Sequence, residues 1–122
     1  MKIAIPADEN TLQSEVCMSF GRAPYFYIYD TATQTGDFII NDAATEPGGA
    51  GIKAAQIIVD NQAEVLITPR CGENAADVFK VAKIKIFKSS VGTIQDNINS
   101  YNDGKLDLLD HFHAGFHGRG GN

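Results

Sequence analysis

Apolar positions along this chain fall into short runs and helical stripes, separated by loops that carry glycine and proline. Lys2-Ile3-Ala4-Ile5-Pro6 reads as a short buried strand ended by Pro6. Tyr25-Phe26-Tyr27-Ile28-Tyr29 is dense in β-formers and predicts a second strand. A polar turn over Thr31–Gly36 leads into Asp37–Asn41, where Phe38-Ile39-Ile40 predicts a returning third strand. Residues 7–24 are mostly irregular, with Glu15–Cys17 extending a sheet edge. The period then changes. Ile52, Ala55 and Val59 share one face of a helix over Ile52–Asn61. Val65–Thr68 predicts a fourth strand, stopped by Pro69, and Ile84–Phe87 a fifth. Between them Glu73–Lys83 predicts a helix with Ala75, Phe79 and Ala82 on one face. Thr93 as a cap, with Asp96 in the first turn, opens a third helix whose apolar face is Ile94, Ile98 and Tyr101.

The order β-β-β-α-β-α-β-α predicts an α/β fold with a mixed five-stranded sheet flanked by helices. Right-handed crossovers make strands 1, 4 and 5 parallel, and strand 2 runs antiparallel to both its neighbours. The expected sheet order is 3-2-1-4-5, the ribonuclease H-like arrangement. Residues 1–109 form one α/β domain, and residues 110–122 a flexible His/Gly-rich tail. The loops 7–24, 42–51, 69–73 and 88–93 then open on one edge. Strands 1 and 4 lead in opposite directions there, which makes a switch-point crevice.

Charge narrows the function classes. A net charge of −5 with no Lys/Arg-rich run disfavours nucleic-acid binding. No apolar stretch approaches the roughly 18 residues that cross a membrane. The strand-like start does not read as a signal peptide, so the expected location is cytoplasmic. Two cysteines do not make a disulfide framework, and in a reducing cytosol each is a thiol.

The crevice rim gathers residues suited to anion or cluster binding. Three helix N-termini are expected to point at it, each with unpaired N–H groups. Gly48, Gly49, Gly51 and Gly72 let the backbone approach a ligand closely. Arg22 and Arg70 add positive charge, and Ser89-Ser90 face the same way. Cys17 and Cys71 are soft ligands for iron–sulfur species or copper(I), and the helix ends are expected to lower their pKa values. In the tail, His111, His113 and His117 place three imidazoles within seven residues, enough to hold a divalent transition metal.

Several chemistries lack their residues. Neither strand 1 nor strand 4 carries the carboxylates of a metal-dependent nuclease. No Walker loop, dinucleotide fingerprint or nucleophile elbow occurs, and every histidine lies in the tail, away from both cysteines. The chain reads as non-enzymatic.

A set of segments gives a more specific reading: Met1-Lys2-Ile3-Ala4-Ile5-Pro6, Ser19-Phe20-Gly21-Arg22-Ala23-Pro24-Tyr25-Phe26, Gly49-Ala50-Gly51-Ile52-Lys53-Ala54-Ala55-Gln56, Cys71-Gly72-Glu73-Asn74-Ala75 and Gly92-Thr93. Together they resemble the dinitrogenase iron–molybdenum cofactor biosynthesis family, over residues 1 to about 109. The resemblance implies a ribonuclease H-like fold without nuclease activity. It also implies a carrier or storage role for an iron–sulfur or molybdenum-containing cluster, with cofactor-assembly proteins as partners. Two family histidines are replaced. Ser19 stands immediately before the Phe-Gly-Arg, and Gly49 before the Ala-Gly. Cys17 and Cys71 are chemically able to take over ligation. The leading expectation is a cluster carrier using Cys17, Ser19, Arg22, Gly48, Gly49, Gly51, Arg70, Cys71 and Gly72. The alternative is an interaction or regulatory domain that binds a protein or small anion at the same rim.

Overall fold

Alternation of side chains along each strand decides which residues enter which core, and it does so here on both faces of one sheet. The computed structural model describes residues 1–112. Its strands are β1 (Lys2–Ala7), β2 (Tyr25–Asp30), β3 (Thr35–Ile40), β4 (Ala63–Thr68) and β5 (Lys85–Lys88), in the order β3-β2-β1-β4-β5. β2 is antiparallel to β1 and β3, while β1–β4 and β4–β5 are parallel. Sheet order and strand directions are those expected from the sequence.

Helices α1 (Ala50–Asp60) and α2 (Glu73–Val81) cover one face. Ala4, Phe26, Ile28, Leu66 and Ile86 point into that core, where they meet Ala54, Ala55 and Ile58 of α1 and Ala75, Ala76 and Phe79 of α2. Ile3, Ile5, Tyr27, Tyr29, Val65 and Ile67 alternate to the opposite face, under Ile94 and Ile98 of α3 (Ile94–Asn102). Fully buried Phe79 stabilises by roughly 1.5–3 kcal/mol through the hydrophobic effect alone. It also makes an edge-to-face contact with Phe20 at 5.5 Å.

Several boundaries differ from the sequence reading, and three of them bear on the core. Pro6 lies within β1, paired opposite Phe26, rather than ending it. Its carbonyl accepts the Cys17 N–H at 2.9 Å, so its amide-less side faces the 16–17 segment and costs β2 no ladder bond. α1 starts at Ala50, two residues before the expected Ile52, because Gly49 can turn into it at φ 71°. Its buried stripe is then Ala50, Ala54, Ala55 and Ile58, and Ile52 is 46% exposed. Ala82 lies past the end of α2 and is exposed.

Residues 107–109 line the outer edge of β5: the Lys88 N–H donates to Asp107 O and the Leu109 N–H to Ile86 O, each at 2.8 Å. Of the expected tail, Asp110 and His111 are exposed, and Phe112 packs half-buried on the α1/α2 core. His113 and His117 lie outside the described residues. No described helix is long and apolar enough to cross a membrane.

Candidate functional site: a basic cleft at two helix N-termini

The ends of β1, β3 and β4 deliver three segments to one place. The β1–β2 connection arrives as a single 3-10 turn, Phe20–Arg22. Phe20 anchors it in the core against Phe26, at 5.5 Å, and against Phe79. The β3–α1 loop comes alongside. A β-carbon on Gly21 would sit 3.0 Å from the Gly51 Cα, so the turn and the start of α1 approach this closely only because Gly21 has none. The β4–α2 connection, Pro69–Gly72, closes the third side.

Polar side chains hold the first two segments together. Asn41, buried at the end of β3, donates from Nδ2 to Gly21 O at 3.1 Å and Ala23 O at 2.9 Å. Its Oδ1 accepts the Ala43 N–H at 3.0 Å. Arg22 Nη1 donates to Ala44 O at 2.9 Å and Glu46 O at 2.6 Å. The Glu46 carboxylate pairs with Lys53 Nζ of α1 at 2.9 Å.

These segments enclose a cleft of about 570 Å³ lined by residues 18–22, 47–52 and 70–72 together with Asn74 and Ala75. Helices α1 and α2 both begin in it. Their N-caps are Gly49 and Gly72, and neither helix receives a side-chain cap, so first-turn N–H groups are left for a ligand. Among the described residues that line it there are two guanidinium groups and no carboxylate. That is notable in a chain with 15 Asp and Glu against 10 Lys and Arg.

Eight of the nine cluster-contact residues expected from the sequence line this cleft: Ser19, Arg22, Gly48, Gly49, Gly51, Arg70, Cys71 and Gly72. Cys17 is not among them. Its thiol lies 3.5 Å from the Ser19 carbonyl oxygen, in the same core cluster as Cys71 but off the cleft lining. The third helix does not contribute either. Thr93 and Asp96 cap α3 reciprocally, which satisfies its first turn internally. Ser90 is tied to the buried Asn97 instead of facing the cleft.

The thiols behave opposite to expectation. Burial pushes Cys71 up to about 12. Burial also pushes Cys17 up to about 11, with the Asp8 carboxylate adding to the rise and a backbone hydrogen bond at Ser19 opposing it. The main cause is desolvation: a thiolate held away from water loses the solvation that stabilises its charge. Both are free thiols. Among the described residues no three His, Cys, Asp or Glu side chains converge as a metal site. His111 is exposed with Nε2 3.6 Å from Asp110 Oδ1.

Sequence reasoning missed Asn41, Met18 and Asn74. Only Asn41 carried a signal: an Asn two residues before an N–H it accepts, at a strand end, is an Asx turn.

Residues 1–104 match the model of the family described as dinitrogenase iron–molybdenum cofactor. The chain belongs to this family. It is similar to an uncharacterized protein of Methanocaldococcus jannaschii, 30% identical over 113 residues, covering 90% of this chain and 92% of that one. Among solved structures it is similar to the apo form of the orange protein from Desulfovibrio gigas. The TM-score is 0.84 and the identity 31%, over 88% of this chain and 92% of that one. It is also similar to a Thermotoga protein given a provisional NifB assignment, with a TM-score of 0.81 and 34% identity, over 91% and 95%. Membership of the dinitrogenase iron–molybdenum cofactor family and these neighbours support a cofactor-related carrier role in general terms.

Proposed function

We propose that this chain is a non-enzymatic carrier that holds an anionic metal–sulfur cluster, iron–sulfur or molybdenum-containing, in the cleft between the N-termini of α1 and α2. The observation that carries this reading is the lining itself: two arginines, two helix starts without side-chain caps and no carboxylate, in a net-negative protein. Cluster sulfides accept hydrogen bonds from backbone N–H groups at 49–52 and 72–75, and the guanidinium charge offsets theirs. Ser19 adds a hydroxyl at the rim. Cys71 is the thiol on the lining and the proposed soft ligand; Cys17 is the second thiol, off the lining. Exposed Met18 (63%) and Ile52 on the cleft lip offer apolar contact to a cofactor-assembly protein that delivers or removes the cluster.

Ligation by Cys71 must displace a proton held with a pKa of about 12, at a cost of about 7 kcal/mol at pH 7. Cluster affinity therefore rises with pH, by up to about tenfold per unit below that value. Anaerobic reconstitution with iron and sulfide, or with tetrathiomolybdate and copper(I), tests the reading by its charge-transfer absorbance. Cys71→Ser should lose most of the absorbance and the pH slope, and Cys17→Ser should keep both. Full absorbance in the Cys17→Ser/Cys71→Ser double variant would show that thiol ligation is wrong. No uptake by the unaltered protein from either mixture would reject the carrier reading.

A further inference from the structure

The two arginines on the cleft differ in what already holds them. Arg22 is committed: one of its nitrogens donates to two loop carbonyls, Ala44 O at 2.9 Å and Glu46 O at 2.6 Å. Those bonds cross between the Phe20–Arg22 turn and the β3–α1 loop. Asn41 bonds the same two segments from the buried side. Arg70 is different. It is exposed on the lining at the end of the β4 connection, and the ion pairs among the described residues do not include it.

We infer that the arginines divide the work: Arg22, with Asn41, is a positioning residue that latches the β3–α1 loop, whereas Arg70 is the residue that meets ligand charge and makes the cleft selective for multiply charged anions. This rests on the carrier reading above and adds the charge class of its cargo. Each helix start presents roughly half a positive charge, so α1 and α2 together offer about one. Amides alone hold a monoanion or a dianion. Arg70 adds a full charge and raises the total to about two, matching a dianion. No carboxylate on the lining cancels it. Glu46 is already paired with Lys53, and Glu73 sits exposed in the first turn of α2, outside the cleft wall. Arg22 also carries a charge, but its Nη1 is already bonded to two loop carbonyl oxygens, which fixes the guanidinium to the loop.

Two tetrahedral sulfides of the same shape separate charge from fit: tetrathiomolybdate is a dianion and tetrathiorhenate a monoanion. Binding of each is followed by absorbance titration under anaerobic conditions, at fixed salt. The unaltered protein should prefer the dianion by about tenfold or more. Arg70→Gln should cut that preference to about threefold or less with an unchanged melting temperature. Arg70→Lys should restore the preference, because it restores charge. Arg22→Gln should behave in the opposite way, with a lower melting temperature and both anions weakened by a similar factor. The assignment is overturned when Arg70→Gln keeps the full preference, or when Arg22→Gln loses the preference while its melting temperature holds. A protein that takes up neither anion overturns this assignment, and the carrier reading falls with it when reconstitution with iron and sulfide also gives no uptake. Uptake of both with no preference overturns only this one.

Discussion

Asn41 is enclosed at the end of β3, 3% exposed, with its amide shared between Gly21 O, Ala23 O and the Ala43 N–H. Its two donor bonds cannot be made by a carboxylate. Asn41→Asp keeps the acceptor for Ala43 but sets a negative charge against two carbonyl oxygens in a buried site. We expect a loss of about 3 kcal/mol, read as a lower urea midpoint, and a loss under about 0.5 kcal/mol would contradict this role. Gly21→Ala tests the neighbouring contact. The new methyl meets backbone, the Gly51 Cα at 3.0 Å, so it cannot be relieved by a rotamer change. It should destabilise by about 1–3 kcal/mol and reduce cluster uptake, because it pushes the turn away from α1. Unchanged melting and unchanged uptake would show that the close approach is not needed. In the sequence Asn41 reads as an ordinary strand end, and Gly21 stands out only as part of the Phe20-Gly21-Arg22 segment that carries the family resemblance. Their importance comes from partners about 20 or more positions away, which no local pattern reports.

At the scale of elements, the three helix starts divide by how their first turns are satisfied. α3 satisfies its own: Thr93 Oγ1 accepts the Asp96 N–H at 3.1 Å and Asp96 accepts the Thr93 N–H at 3.0 Å. α1 and α2 begin at glycines with no side-chain acceptor. The cap on α3 was legible, since Thr followed by an acid three positions later needs only local geometry. That α1 and α2 share a cleft and α3 does not required the helices to be assigned to faces of the sheet. Thr93→Ala isolates this difference. It should cost about 1 kcal/mol of stability and leave cluster uptake unchanged, because α3 packs on the far face. Loss of uptake at equal folded fraction would contradict the separation of the two faces.

For the molecule as a whole, the buried thiols couple folding to pH. In the folded chain Cys17 and Cys71 hold their protons to about 11 and about 12, against an ordinary value of 9.0. Below the ordinary value both states are protonated and the thiols have no effect. Above it the unfolded chain ionises first, binds fewer protons than the folded one, and stability falls. Each thiol contributes a slope of about −1.4 kcal/mol per pH unit between its ordinary and its folded value. Buried Tyr27, also raised by desolvation, adds to the fall at higher pH. Denaturant titrations from pH 8 to pH 11 should show this decline, and Cys17→Ala/Cys71→Ala should flatten it whatever its own baseline stability. An equal slope in both proteins would mean that the thiols ionise in the fold. The order β3-β2-β1-β4-β5, the strand directions and eight of the sixteen residues on the cleft lining were legible beforehand. Hydrophobic period sets element type locally, and crossover handedness leaves few ways to arrange those elements. What only the tertiary structure decided is which groups reach a ligand and in what state. Cys17 stays off the cleft lining, both thiols stay protonated, α3 turns its capped end elsewhere, and Arg22 is taken up by carbonyls while Arg70 is left open. Desolvation and hydrogen bonding across distant segments determine these outcomes, and both depend on what packs around a residue rather than on its neighbours along the chain.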